Sequence, residues 1–396
     1  MATYLSPGVH VEETPPAARA IAGVGTSTAA FAGEVPDNVK MPLRPGRTGL
    51  KADGTTVEPA DFYTVAKAGD PVPVTSWEEF RTAFGDFQSA NAVLAHAVFG
   101  FFNNGGSRCW VIRAAAKAGI DDPTKTLAAL EAIDEIAIVA VPGAVAKAQH
   151  DALIAHCSRL QDRVAILDGA AADPPVVATI RPAGLSTQAA YAALYFPFIK
   201  VADPLKPGDE TTVAPSGHIA GIYARSDAAR GVHKAPANEV ILGALGVTQR
   251  ISQAQQDGLN PENINVLRVF NGAVTVWGAR TMASNTAEEF RYISTRRFTN
   301  FLRESLTEGL SWVVFEPNSP ALWQRITRNA GDFLTRQWRA GALLGAEAGD
   351  SFFVRCDAST NPPDVREIGQ VVTEIGVAVV KPAEFVVFRI QQLTGG

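Results

Sequence analysis

Apolar and polar residues alternate from Val9 to Glu12, directly after a Ser6-Pro7-Gly8 turn, which is the period-two pattern of a half-buried strand. The next six residues, Thr14-Pro15-Pro16-Ala17-Ala18-Arg19, suit neither a helix nor a sheet interior, because paired prolines remove backbone donors and hold the chain extended. Small apolar residues resume at Ile21 and run to Gly33 as a core strand. Residues 34–73, rich in Pro, Gly and Asp, lack periodicity and read as an irregular excursion. Helices are predicted after Ser76, an N-cap followed by acids, and over 90–102, 144–160 and 216–230. Between them lie apolar strands at 109–113, 136–141, 164–168 and 192–201, the last interrupted by Pro197. Short buried strands alternating with helices predict an α/β fold with a largely parallel sheet.

The final third has a different rhythm. Segments 265–270 and 273–277 flank Asn271-Gly272, the strongest short hairpin signal. A helix over 287–309, a strand over 312–315, a helix over 319–344 and strands over 371–380 and 384–390 follow, an α+β pattern. Along 319–344, Leu322, Trp323, Ile326, Ala330, Phe333 and Leu334 share one side. Arg325, Arg328, Arg336 and Arg339 share the other, within an arc of roughly 80° at about 100° per residue. Only Asp332 interrupts this stripe. One reading is a solvated face with two i,i+4 ion pairs; the other is a docking stripe for an acidic surface.

With 396 residues, 46% hydrophobic and 19% charged, the chain can bury a large core, and its net charge of −5 argues against nucleic-acid binding. The three cysteines are far apart, which suits buried thiols in a reducing compartment. The N-terminus lacks a secretory pattern and no apolar run approaches the roughly 20 residues that span a bilayer, so synthesis and folding in the cytoplasm are expected. No constellation of catalytic residues emerges. Gly23-Val24-Gly25 has Thr28 where a dinucleotide loop needs its third glycine. Ser216, His218 and Asp227 fall on one helix, whereas a triad converges from different elements. His150 and His156 face opposite sides of theirs, which does not favour a metal. No catalytic, cofactor or metal site is expected.

Several phrases, in order and over nearly the whole chain, resemble the contractile tail sheath family of phage tails, R-type pyocins and extracellular contractile injection systems. They are Tyr4-Leu5-Ser6-Pro7-Gly8-Val9-His10-Val11-Glu12-Glu13, Gly23–Phe31, Gly221–Asp227, Gly231–Asn238, Ile264-Asn265-Val266, Val276–Thr281, Val314–Asn318 and Lys381–Phe388. The resemblance implies a non-enzymatic subunit that polymerises helically around an inner tube and contracts from a metastable state. It implies partners of four kinds: further copies of the chain, the tube protein, and baseplate and cap proteins, with no direct membrane insertion. It also implies assembly in the bacterial cytoplasm into a phage tail or tail-like particle that can be released. The expected layout is a donor arm and leash (1–20), an α/β domain (21–280) and a C-terminal inner domain (281–396) ending in a donor strand (384–396). Tyr4, Pro7, Gly8, Val9, Val11, Phe385, Val387, Phe388 and Ile390 are then the inter-subunit arm residues, and the four arginines are candidates for the tube. A tail-terminator or cap protein is the related alternative, and an α/β enzyme the alternative from another class.

Overall fold

The computed structural model of the chain describes residues 20–51, 55–182, 189–283 and 288–387. The strand expected at 9–12, its leash, and residues Tyr4, Pro7, Gly8, Val9, Val11, Phe388 and Ile390 lie outside the described residues. The chain divides into two compact units, Val24–Glu304 with the segment from 380 onward, and Ser305–Val379 with the residues up to 23.

Among the described residues the larger unit holds twelve strands. The first six are β1 (Ala29–Glu34), β2 (Val72–Val74), β3 (Cys109–Ala114), β4 (Ile138–Ala140), β5 (Val164–Asp168) and β6 (Ala192–Phe196). The next six are β7 (Ile199–Ala202), β8 (Glu210–Val213), β9 (Glu239–Val240), β10 (Ala244–Val247), β11 (Ile264–Phe270) and β12 (Ala273–Trp277). Nine of them form one sheet in the order β2-β3-β1-β4-β5-β6-β11-β12-β9. Pairing is parallel from β3 through β11, and antiparallel strands close both sides. The central strands are apolar on both faces because each face is covered, one around Phe31, Phe101, Tyr195 and Tyr223, the other around Leu153, Cys157, Leu167 and Phe196.

The single strand expected over 192–201 is two strands in two sheets. Pro197 cannot donate to a ladder, so β6 ends at Phe196 and the chain leaves to build the three-stranded sheet β10-β7-β8. The hairpin between β11 and β12 forms as expected, with Asn271 (φ 50°) and Gly272 (φ 83°) both left-handed.

Helices α1 (Trp77–Phe84), α2 (Ala92–Asn103), α3 (Lys147–Leu160) and α4 (Ser216–Arg230) match the expected segments to within a few residues. Helices α2 and α4 pack backbone to backbone. A methyl group on Gly217 would fall on the Ala97 backbone, and one on Gly221 on Phe101 O and Asn104 Cβ. Helix α5 (Ile293–Gly309) contains the point at which the chain divides.

In the smaller unit, α6 (Pro320–Arg339) is capped by Ser319 and ends before Gly341, whose φ of 78° is left-handed. Its expected apolar face is the buried one: Leu322, Trp323 and Ile326 pack with Cys356, Trp312 and Val371, and Ala330, Phe333 and Leu334 are buried too. The expected strand over 312–315 does not form. Ser311–Val313 make a single 3₁₀ turn and Val314 and Phe315 project into solvent, Phe315 with φ 68°. The apolar run that suggests a strand is split, because Trp312 turns inward to the core while Phe315 turns out. The expected strand at 371–380 shortens to β14 (Glu374–Val377), which pairs antiparallel with β13 (Phe352–Arg355) in a two-stranded sheet.

Candidate assembly site: the arm roots and the arginine helix

The C-terminal segment returns to the larger unit and is caught there by one side chain. Glu384 accepts two hydrogen bonds from the Arg280 guanidinium at 2.8 Å, one from Asn260 Nδ2 at 2.8 Å and one from Tyr292 Oη at 2.8 Å. The Arg280 and Glu384 side chains keep only 8% and 18% of their exposure. Burial pushes the Glu384 carboxyl up, but the bonds from Arg280, Asn260 and Tyr292 outweigh it and hold the group below its ordinary value. Arg280 is itself fixed. Its backbone N–H donates to Asn265 Oδ1 at 2.7 Å, while Asn265 Nδ2 donates to Arg280 O at 2.8 Å and Leu194 O at 3.1 Å, which ties the clamp to β6 and β11. Immediately beyond, Phe385, Val386 and Val387 are 72%, 69% and 78% exposed and belong to no strand.

A second carboxylate–arginine pair lies close to the other end of the described chain. Arg297 holds Asp227 through both nitrogens (2.9 and 2.5 Å), donates to Thr26 O at 2.9 Å and stacks on the Tyr223 ring. Thr26 Oγ1 completes the knot by donating to Asp227 at 2.5 Å. Both side chains of the pair are almost fully buried. The chain is therefore gripped at Thr26, near the start of the described residues.

The four arginines of α6 divide into two kinds. Arg325 bridges Glu316 at 3.4 Å and lies over the Trp312 ring at 4.2 Å. Arg336 donates to Ile21 O at 2.6 Å. Arg328 and Arg339 are exposed and make no ion pair or hydrogen bond among the described residues. Asp332 pairs with neither Arg328 nor Arg336 among the described residues, so the two i,i+4 ion pairs do not form.

Comparison with known proteins decides between the readings of the whole chain. Residues 116–282 match the phage tail sheath protein central domain and residues 285–392 the phage tail sheath C-terminal domain. The chain belongs to the contractile tail sheath family. The tail sheath protein of Burkholderia phage BcepMu is 27% identical over 51% of this chain and 43% of its own length. A putative prophage major tail sheath protein of Pseudomonas aeruginosa is 24% identical over 44% and 45%. The chain thus spans less than half the length of these curated relatives. Among solved structures, the contracted helical sheath of the anti-feeding prophage matches with a TM-score of 0.75 and 29% identity over 98% of this chain and 100% of that one. The contracted sheath complex of the extracellular contractile injection system PVC shares the fold, with a TM-score of 0.74 and 24% identity over 99% of both chains.

In this sheath-family chain the residues that resemble catalytic groups have structural partners. Asp168, at the end of β5, accepts from Gly143 N (2.9 Å), Ser216 N (2.9 Å) and Ser216 Oγ (2.7 Å), so it caps α4. Burial pushes its carboxyl up to about 6 against the pull of those donors. His218 is buried against Gly100, and burial holds it down to about 4. Asp227 is committed to Arg297. No group of three or more His, Cys, Asp or Glu residues that could hold a metal exists among the described residues. No helix among them is long and apolar enough to cross a membrane. The sequence reading singled out the phrases that carry Arg280 and Glu384 but not the pair itself. The available signal was a lone arginine in the first phrase and a lone carboxylate, beside Lys381, in the second.

Proposed function

We propose that the chain is the structural subunit of a contractile sheath, polymerising helically with copies of itself around an inner tube. In this reading it contracts from a metastable extended state to drive the tube through a target envelope. The end-to-end likeness to a contracted helical sheath carries this reading, since it covers the chain from one end to the other. Two features of the subunit support exchange of terminal arms. One is the apolar segment Phe385–Val387, which is exposed and in no strand; the other is the sheet β13–β14, in which two strands are paired among the described residues. A two-stranded sheet is marginal alone and has two open edges that strands from other subunits can fill. The N-terminal arm residues Tyr4, Pro7, Gly8, Val9 and Val11 and the C-terminal Phe385, Val387, Phe388 and Ile390 are the proposed donors. Because the acceptor and donor patches differ, the contact is heterologous, and with a rotation that does not close a ring it generates an open helix.

The C-terminal region from residue 281 supplies the proposed tube-facing surface. Arg328 and Arg339 are its leading contacts, because Arg325 and Arg336 are already engaged within the subunit. Baseplate and cap proteins are the proposed neighbours at the ends of the sheath. Negative-stain microscopy of the chain co-expressed with its tube protein tests the reading. Hollow striated cylinders support it, and uniform small globules overturn it.

A further inference from the structure

We propose that the Glu384–Arg280 clamp is the anchor of the C-terminal arm, the fixed point through which a pull on that arm by a second copy of this chain reaches the central sheet. The inference rests on the arm-exchange reading above and adds to it the residues that bear the load. Glu384 is gripped by Asn260, Arg280 and Tyr292, three side chains from separate places in the chain. Arg280 also donates to Asn260 O at 2.9 Å, so the grip is closed on itself. From Arg280 the connection continues through Asn265 to Leu194 and Arg280 backbone carbonyls, and so into β11 and β6 at the end of the parallel run. Lys381 adds a weaker hold through its donation to Glu288 O at 3.4 Å.

The placement is what gives the clamp its meaning. A buried, bidentate carboxylate–arginine pair with two further donors is a costly device that breaks only by leaving a charge unpaired in a dry site. Here it fixes the last residue before three consecutive exposed apolar side chains. Among the described residues, those after Glu384 gain nothing from being held so firmly, since Phe385–Val387 take no part in the core. If that segment is seated on another subunit, the clamp sets where the connection starts. Without it the segment back to residue 380 becomes slack, and motion of one subunit no longer reaches the next.

Glu384→Ala, Glu384→Gln and a chain ending at Glu384 are compared with the wild type, each co-expressed with the tube protein and also purified alone. The expected result is that the chain ending at Glu384 keeps a melting temperature near that of the wild-type subunit, whereas Glu384→Ala, and to a lesser degree Glu384→Gln, lowers it by leaving the Arg280 guanidinium without its carboxylate. Intact cylinders, counted by microscopy, fall at least tenfold for Glu384→Ala and for the truncation, and less for Glu384→Gln, which keeps one acceptor oxygen, enough for Arg280 Nε and Asn260 Nδ2. Wild-type cylinder yield from Glu384→Ala overturns the anchor while leaving the sheath reading intact. Assembly that returns to wild-type yield at temperatures where the Glu384→Ala subunit is fully folded also overturns it, by making the clamp a fold-stabilising contact only. Absence of cylinders from the wild-type chain overturns the sheath reading itself, and the anchor with it.

Discussion

Phe315 combines two unfavourable properties: a bulky side chain wholly in solvent and a left-handed backbone. The conformation costs about 1 kcal/mol or more, and no burial offsets it. Asparagine tolerates the same φ through its short polar side chain. Phe315→Asn is therefore expected to raise the stability of the isolated subunit by about 1 kcal/mol, read as a higher urea midpoint at unchanged slope. An unchanged or lower midpoint would show that the backbone here carries no strain. This position also marks a limit of reading a sequence. Trp312-Val313-Val314-Phe315 has the composition of a strand, and composition cannot say that its first two residues turn inward and its last two outward. Glu384 poses the same difficulty in reverse, because its partner stands 104 residues away and nothing local announces the pairing.

Among the elements, the helices were the most legible, because a 3.6-residue repeat written over three to five turns averages out single exceptions. The stripe of α6 is the clearest case: every predicted apolar position is buried. Strands β9 and β13 were illegible for the opposite reason. β9 has two residues, and Phe352–Arg355 is only half-covered, so neither carries a pattern long enough to stand out. The α2–α4 contact is decided by glycines rather than by hydrophobic pattern. Gly221→Ala is expected to destabilise the subunit by about 2–3 kcal/mol, since the added methyl meets a backbone carbonyl that cannot move aside; urea unfolding gives the value, and a loss under about 0.5 kcal/mol would mean the helices separate freely. On α6, the double variant Arg328→Glu with Arg339→Glu is expected to melt as wild type does, both side chains being exposed and unpaired. Co-sedimentation with the tube protein should nonetheless fall several-fold. A lower melting temperature with normal co-sedimentation would assign these arginines to the fold instead.

For the molecule as a whole, the parallel α/β plan was readable from the alternation of apolar strands and helices, whereas the three-stranded sheet that Pro197 launches was not. Acid is expected to weaken this architecture. Burial holds His156 and His218 down to about 4 in the folded chain, against 6.5 when free. Their contribution is complete above pH 6.5 and is lost as pH falls toward 4. Asp168, pushed up to about 6 from 3.8, acts in the other direction: its burial penalty is present above pH 6 and is relieved on acidification. Two histidines outweigh one carboxyl, so the net loss between neutral pH and pH 4 is on the order of a few kcal/mol. His156→Leu should flatten that decline, since neither ring nitrogen has a partner to lose. An unchanged pH slope in thermal melts would remove His156 from the account. The division of the arginines into dry and wet ones has a consequence for ionic strength. At physiological salt, charges in open water are screened beyond about 8 Å, while a pair sealed from solvent hardly senses the ions. Raising salt should therefore act as a selective solvent for the particle: it loosens the proposed grip of Arg328 and Arg339 on the tube and leaves Arg280 closed on Glu384, so that empty sheaths come away still linked subunit to subunit.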